Sequence, residues 1–223
     1  MKKTDLTLKI MTQQLPIISR KAIKLARRLL REGELVALPT DTVYGLAANA
    51  FDQFAVRKVF AVKQRPLDKG LPVFISQIDD VCLVAKNIPS EVRPMLNQFW
   101  PGALTVVFPK NDRLLPELTG GAETIAVRLP NHLPCLELVN LVGQPLVATS
   151  ANISGRPTPS TAREVSMQLA GKISLILDGG PTPSAVPSTV VDVSCTPPRI
   201  LRQGAIPVAE LQAYLPTLSK AIP

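Results

Sequence analysis

One histidine among 223 residues is the sharpest shortage in this sequence. His132 alone cannot build a zinc site of the usual Cys/His kind. A Ser-His-Asp hydrolase would also have to rest on that one residue. Cysteine is as scarce: Cys82, Cys135 and Cys195 are odd in number, far apart and without Cys-x-x-Cys spacing. They read as reduced thiols of a cytoplasmic chain, not as a disulfide framework. Aromatic residues make up 4%, few for a protein that stacks bases. Neither Gly-x-x-x-x-Gly-Lys-Ser/Thr nor Gly-x-Gly-x-x-Gly occurs, so a nucleotide would have to be held by side-chain cations. No stretch approaches the roughly 18 apolar residues of a membrane span. Thr4-Asp5 and Thr12-Gln13-Gln14 interrupt any signal-peptide core behind Met1-Lys2-Lys3.

Negative charge is short too. Seventeen Asp and Glu face 25 Lys and Arg, for a net charge of +8 and a pI near 9.7. That balance favours an acidic partner: a nucleotide, RNA or an anionic surface. With 46% hydrophobic and 19% charged residues, the chain can bury a full core, and one domain is the default.

Periodicity predicts a mixed order of elements. Ser19 caps a helix through Leu30 with Gly33 as its stop, and the helix carries Arg20, Lys21, Lys24, Arg27, Arg28 and Arg31 on its outer face. That face reads as solvated, with RNA or a membrane surface as its functional alternatives. Strands are expected at 34–38, 71–75, 104–108, 124–129, 146–149 and 174–177, with an antiparallel pair at 190–193 and 200–201. Helices are expected at 54–63 (capped by Asp52), 78–85, 90–99, 132–141, 161–169 and 208–214. Residues 1–18 are a tail or a short edge strand, and 110–122, 154–160 and 179–187 are loops. Strands and helices do not alternate strictly, so the expected class is α/β with a mixed, twisted sheet.

Chemistry gathers where strands end. Thr40 and Thr42 follow one strand, Ser150 and Asn152 another, and Arg128 closes a third, the kind of place where open sheets bind ligands. Each hydroxyl by itself is more simply a satisfied turn. Lys63, Arg65 and Lys69 add cations that would offset most of the charge on a triphosphate, Arg as a fork and Lys as a point charge.

The set PTDTVYGLAANAFD, KQRPLDKGLP, WPGALTVVF, TIAVRLPNH, LVATSANISGRPTPST and STVVD…PPRILRQG resembles the YrdC-like threonylcarbamoyl-AMP synthases, over roughly residues 17 to 206. The resemblance implies a twisted mixed α/β sheet with flanking helices and a large electropositive concave cavity. It implies residues 1–16 as an N-terminal extension, 17–206 as the catalytic domain and 207–223 as a tail with a short helix. The implied reaction is nucleotidyl transfer: L-threonine, bicarbonate and ATP give threonylcarbamoyl-AMP and pyrophosphate. Mg²⁺ would be bound mainly through the ATP phosphates, with no protein side chain as ligand. The product would go to partner proteins that modify adenosine 37 of tRNAs reading ANN codons (the t6A modification).

By motif, Thr42 and Ser150 should contact threonine, with Thr40 a second candidate, and Arg128 should bind its carboxylate. Lys63 and Arg65 should be catalytic and, with Lys69, face the phosphates. Thr124, Asn152, Ser160 and Arg202 should line the nucleotide side. Phe74 stands where some longer members have a histidine. Those members also carry a second domain, so a lid is expected here from 154–160, 179–187 or 207–223. The competing reading is a non-catalytic protein that holds tRNA or other double-stranded RNA in the same basic cavity.

Overall fold

A computed structural model describes residues 11–184 and 186–220. Residues 1–10 of the expected extension and 221–223 of the expected tail lie outside the described residues. Among the described residues, eleven strands form one sheet in the order β1-β8-β2-β3-β7-β4-β6-β5-β9-β10-β11. They are β1 (Gln13–Pro16), β2 (Val36–Leu38), β3 (Gly45–Asn49), β4 (Val73–Phe74), β5 (Leu104–Pro109), β6 (Thr124–Arg128), β7 (Leu146–Ser150), β8 (Leu175–Asp178), β9 (Thr189–Asp192), β10 (Arg199–Arg202) and β11 (Ser219–Lys220). Parallel pairs such as β4 with β6 alternate with antiparallel ones such as β3 with β7, so the sheet is mixed.

The helices are α1 (Arg20–Arg31), α2 (Gln53–Lys63), α3 (Arg93–Phe99), α4 (Pro116–Thr119), α5 (Leu133–Val142), α6 (Ala162–Leu169) and α7 (Val208–Gln212). Their starts follow local chemistry. Ser19 Oγ accepts from Ala22 N, Asp52 Oδ1 from Phe54 N and Ala55 N, and Thr161 with Glu164 forms a capping box.

Four expectations need correction. Gly45–Asn49, rich in Gly and Ala and therefore poor in strand propensity, is nonetheless a central strand, because β2 and β7 supply hydrogen-bonding partners on both sides. The helix expected over 78–85 is a 3₁₀ segment, Ile78–Leu83. The helix expected from Ser90 starts at Arg93, with Pro94 in its first turn. The loop expected over 110–122 contains the single turn α4.

Strand alternation divides the core into two layers. Val73, Val106, Val127, Val147 and Val191 face the larger layer, which also takes in buried residues of α2, α3, α6 and α7. Leu211, Leu215 and Leu218, beyond β10, join this layer. On the opposite face, Val36, Leu38, Ala47, Leu146, Leu175 and Leu177 pack under α1 and α5. Those two helices cover only part of that face. Where they stop, Phe74, Ala126, Ala148, Thr105, Val107 and Val190 look into a cavity instead of a helix.

Candidate active site

The cavity measures about 490 Å³. Its rim is the β2–β3 turn with Thr40 and Thr42, the end of β7 at Ser150, Thr158, the Arg65–Gly70 segment, Pro187–Ser188 and the end of β10 at Arg202. The charged residues lining it are Arg65, Arg128 and Arg202, with no carboxylate among the described lining residues.

Arg128 ends β6 on the cavity face, buried to 6% exposure. Its Nε donates to Gly102 O (2.9 Å), Nη1 to Thr42 Oγ1 (2.9 Å) and Nη2 to Asp41 Oδ1 (2.7 Å). The guanidinium also sits 5.8 Å from the centroid of the Phe74 ring. Burial lowers its pKa and Asp41 opposes that shift. Asp41 is a residue that sequence reasoning missed. It stands between two threonines already singled out, but nothing in one dimension says that a turn residue reaches a strand 87 positions away.

The two threonines play different parts. Thr40 Oγ1 accepts from Thr42 N (3.1 Å) and Val43 N (3.3 Å) and donates to Val43 O (2.8 Å), so it closes the turn. Thr42 Oγ1 accepts from Arg128 and lies 3.1 Å from Thr40 Oγ1. Ser150 Oγ donates to Asn152 Oδ1 (2.6 Å), and Asn152 Nδ2 donates to Arg156 O (2.6 Å).

Lys63 closes α2 at 2% exposure and is absent from the lining. Its ammonium donates to Ser150 O (2.5 Å), Asn152 O (2.8 Å) and Asn152 Oδ1 (3.2 Å). It therefore braces the Ser150–Asn152 wall from behind. Burial, with Arg65's charge second, pushes it down to about 7. Arg65 lines the cavity with Nε on Lys69 O (2.9 Å) and Nη2 on Gly70 O (2.8 Å), and burial lowers its pKa. Arg202 grips Ser188 through Nε to O (3.1 Å) and Nη2 to O and Oγ (2.9 and 3.2 Å). Ser188 Oγ in turn lies 2.8 Å from Thr105 Oγ1. Burial first, then the charge of Arg128, lowers Arg202's pKa.

Of the expected residues, Thr42, Arg128, Ser150, Arg65 and Arg202 meet around one cavity, with Thr40 beside them. Lys63 and Asn152 stand behind its wall. Lys69 is exposed outside the lining. Thr124 starts β6, about 13 Å along the strand from Arg128 at ~3.3 Å per residue. Ser160 is taken up by Glu164, its N and Oγ lying 2.7 and 3.1 Å from Oε2. Thr158 and Ser188 line the cavity without having been anticipated. Among the described residues no cluster of His, Cys, Asp and Glu could hold a metal ion, and no helix is long and apolar enough to cross a membrane.

Residues 28–204 match the Sua5_yciO_yrdC family, described as Telomere recombination. A threonylcarbamoyl-AMP synthase of Pyrococcus abyssi is 45% identical over 193 residues, 86% of this chain and 57% of that protein. One from Bacillus subtilis is 44% identical over 191 residues, 85% of this chain and 55% of that protein. The chain thus spans a little over half the length of these relatives. The crystal structure of P. abyssi Sua5 complexed with L-threonine matches with a TM-score of 0.89 and 42% identity, over 95% of this chain and 62% of that one.

Proposed function

The chain belongs to the Sua5/YciO/YrdC family, and from that premise we propose that it is an L-threonylcarbamoyladenylate synthase, a nucleotidyltransferase acting on L-threonine, bicarbonate and ATP. The observation that carries this reading is the meeting of the Arg128–Thr42 pair and Ser150 with Arg65 and Arg202 in one cavity. A buried guanidinium beside a hydroxyl suits an amino-acid carboxylate, and further arginine forks suit phosphate oxygens.

The chemistry asks little of acids and bases. Bicarbonate loses hydroxide to give CO₂. The threonine nitrogen bonds to its carbon as one C–O π pair becomes the carbamate oxyanion, and the proton the nitrogen gives up leaves with that hydroxide as water. A carbamate oxygen then bonds to the α-phosphorus while the bond to the bridging oxygen breaks, and pyrophosphate leaves with that electron pair. Positioning and charge stabilisation are what the site must supply. In this reading Arg128, Thr42 and Ser150 hold the amino acid. Arg65 and Arg202 meet the phosphates. Lys63 is a positioning residue that acts through Ser150–Asn152. Lys69, Thr124 and Ser160 are given no direct contact. Among the described residues the lining offers hydroxyls and guanidinium groups but no carboxylate, so Mg²⁺ would have to arrive on the triphosphate, and no step is assigned to it.

We place the catalytic unit within 17–206, in a cytoplasmic protein whose product passes to partner proteins for tRNA modification. Pyrophosphate release from ATP, with threonine or bicarbonate left out in turn, tests the reading. Release that needs both is expected, and release independent of both would overturn it.

A further inference from the structure

Arg65 stands on a stretch whose own side chains do not hold it in place. Gln64 ends α2 in the left-handed region at φ 52°, and Pro66, Leu67, Asp68 and Lys69 are all exposed. Fixing the guanidinium is therefore left to the backbone. Its Nε and Nη2 donate to Lys69 O and Gly70 O, which leaves its remaining N–H bonds for the cavity that the side chain lines. Those two carbonyls are in turn set by α4. Leu71 N donates to Leu118 O (2.8 Å), and two glycines interlock beside that bond. A Cβ on Gly120 would lie 2.6 Å from Asp68 O and 2.7 Å from Gly70 N, and one on Gly70 would lie 2.8 Å from Thr119 O. The same short helix is tied to the start of α2, because Glu117 Oε1 accepts from Gln53 Nε2 (2.6 Å) and Arg57 Nη2 (2.7 Å). Helix α4 thus links the first turns of α2 to the segment that follows its end.

We propose that Gly120 is a positioning residue for the nucleotide: its missing side chain lets Asp68–Gly70 dock on α4, which sets the carbonyls that aim Arg65 at phosphate. The inference rests on the reading of Arg65 as a phosphate contact. The end of a helix does not by itself ask for this glycine. Gly120 caps α4 at φ 63°, but Asn also serves at such a position. Gly121 has φ 80° and open space around it, so only Gly120 of the two is pressed against the arginine's own segment. A guanidinium fork works on phosphate when parallel N–H bonds meet the oxygens together, and a misplacement of about 1 Å is enough to forfeit much of that. Any Cβ at position 120 would push Asp68–Gly70 away, and with it the two carbonyls on which Arg65 rests.

The test is calorimetric titration of the full chain with ATP and, separately, with L-threonine. Arg65→Gln should weaken ATP binding on the order of 10- to 100-fold, the size of lost charge-assisted hydrogen bonds. Gly120→Ala should weaken it on the order of 10-fold and leave threonine affinity at the parent value. Gly121→Ala bears the same left-handed strain without the collision, and it should bind both ligands as the parent does. Because Gly120 acts through Arg65, Gly120→Ala should add less than about 2-fold to the effect of Arg65→Gln in the double variant. The proposal is overturned if Gly120→Ala binds ATP as the parent does, or weakens ATP and threonine alike. It is overturned as well if the effect of Gly120→Ala persists in full beside Arg65→Gln. In each of these cases weak ATP binding by Arg65→Gln keeps the phosphate role of Arg65 intact. Parental ATP affinity in Arg65→Gln would instead overturn that role, and the proposal with it. Should Gly120→Ala fail to fold, Glu117→Ala, which frees α4 from α2, must weaken ATP binding by about 3-fold in the parent and not at all beside Arg65→Gln. Any other result with that variant overturns the proposal.

Discussion

Arg128 commits Nε, Nη1 and Nη2 to Gly102, Thr42 and Asp41. It is thus oriented by the protein, and its remaining N–H bonds are aimed rather than searching. Arg128→Gln should weaken threonine binding by about 10- to 100-fold, the size of one or two lost charge-assisted hydrogen bonds, while the KM for ATP moves far less. Calorimetric titration with threonine measures the first quantity and steady-state kinetics the second. Asp41→Asn removes the counter-charge of a buried guanidinium and should cost about 2 kcal/mol, somewhat under the range for fully buried pairs because the carboxylate keeps 13% of its exposure. A urea unfolding curve unchanged from the parent would refute that. Lys63 makes a pH prediction. Between its folded value of about 7 and the ordinary 10.5, the unfolded chain holds a proton that the fold has released. Raising the pH through that window therefore favours the fold. Unfolding free energy should rise from pH 7 to 10, and Lys63→Met should flatten that rise.

At the scale of elements, the cavity depends on a close approach between β9 and the segment after β10. Gly204 N donates to Thr189 Oγ1 (2.9 Å) and Ala205 N to Pro187 O (3.0 Å). A Cβ on Gly204 would collide with the carbonyl of Pro187 and the backbone of Ser188. Gly204→Ala should therefore displace the Pro187–Ser188 wall and loosen the seat of Arg202. Loss of turnover that exceeds the loss of stability is the expected outcome. Equal turnover in parent and variant would show that this wall does not matter. The β2–β3 hairpin is the counterpart on the other side. Its turn is closed by Thr40, which leaves Thr42 facing Arg128.

For the whole molecule, the layer division separates stability from function. Val208, Leu211, Leu215 and Leu218 are buried in the layer opposite the cavity, each such side chain worth about 1.5–3 kcal/mol. Deleting residues 207–223 should lower the melting temperature strongly, yet threonine affinity measured well below that temperature should stay the same. Lost affinity in a truncated chain that still folds would mean that the tail takes part in the site. The one-sided cover by α1 and α5 also explains why the molecule has a cavity at all. Strands β5, β6 and β7 turn small or polar residues such as Thr105, Ala126 and Ala148 toward it, where a helix would demand large apolar ones.

Much of this was written in local chemistry. Ser19, Asp52 and Thr161 announce helices because a cap needs only its next three residues. The apolar run Leu104–Phe108 and the alternation in Thr124–Leu129 announce strands, and the ordered motifs point to the family. The sequence by itself thus determined the elements and the cast of candidate residues. It did not reveal β3, whose Gly-Ala run is a strand only because β2 and β7 flank it. Nor did it show that Lys63 turns inward. Spacing from Arg65 predicts a shared role, but α2 ends against β7 and aims one cation at backbone carbonyls and the other at the cavity. Only the tertiary structure decided which cations face the ligand space and that Asp41 holds Arg128. Both depend on contacts between residues more than 85 positions apart, which no local pattern records.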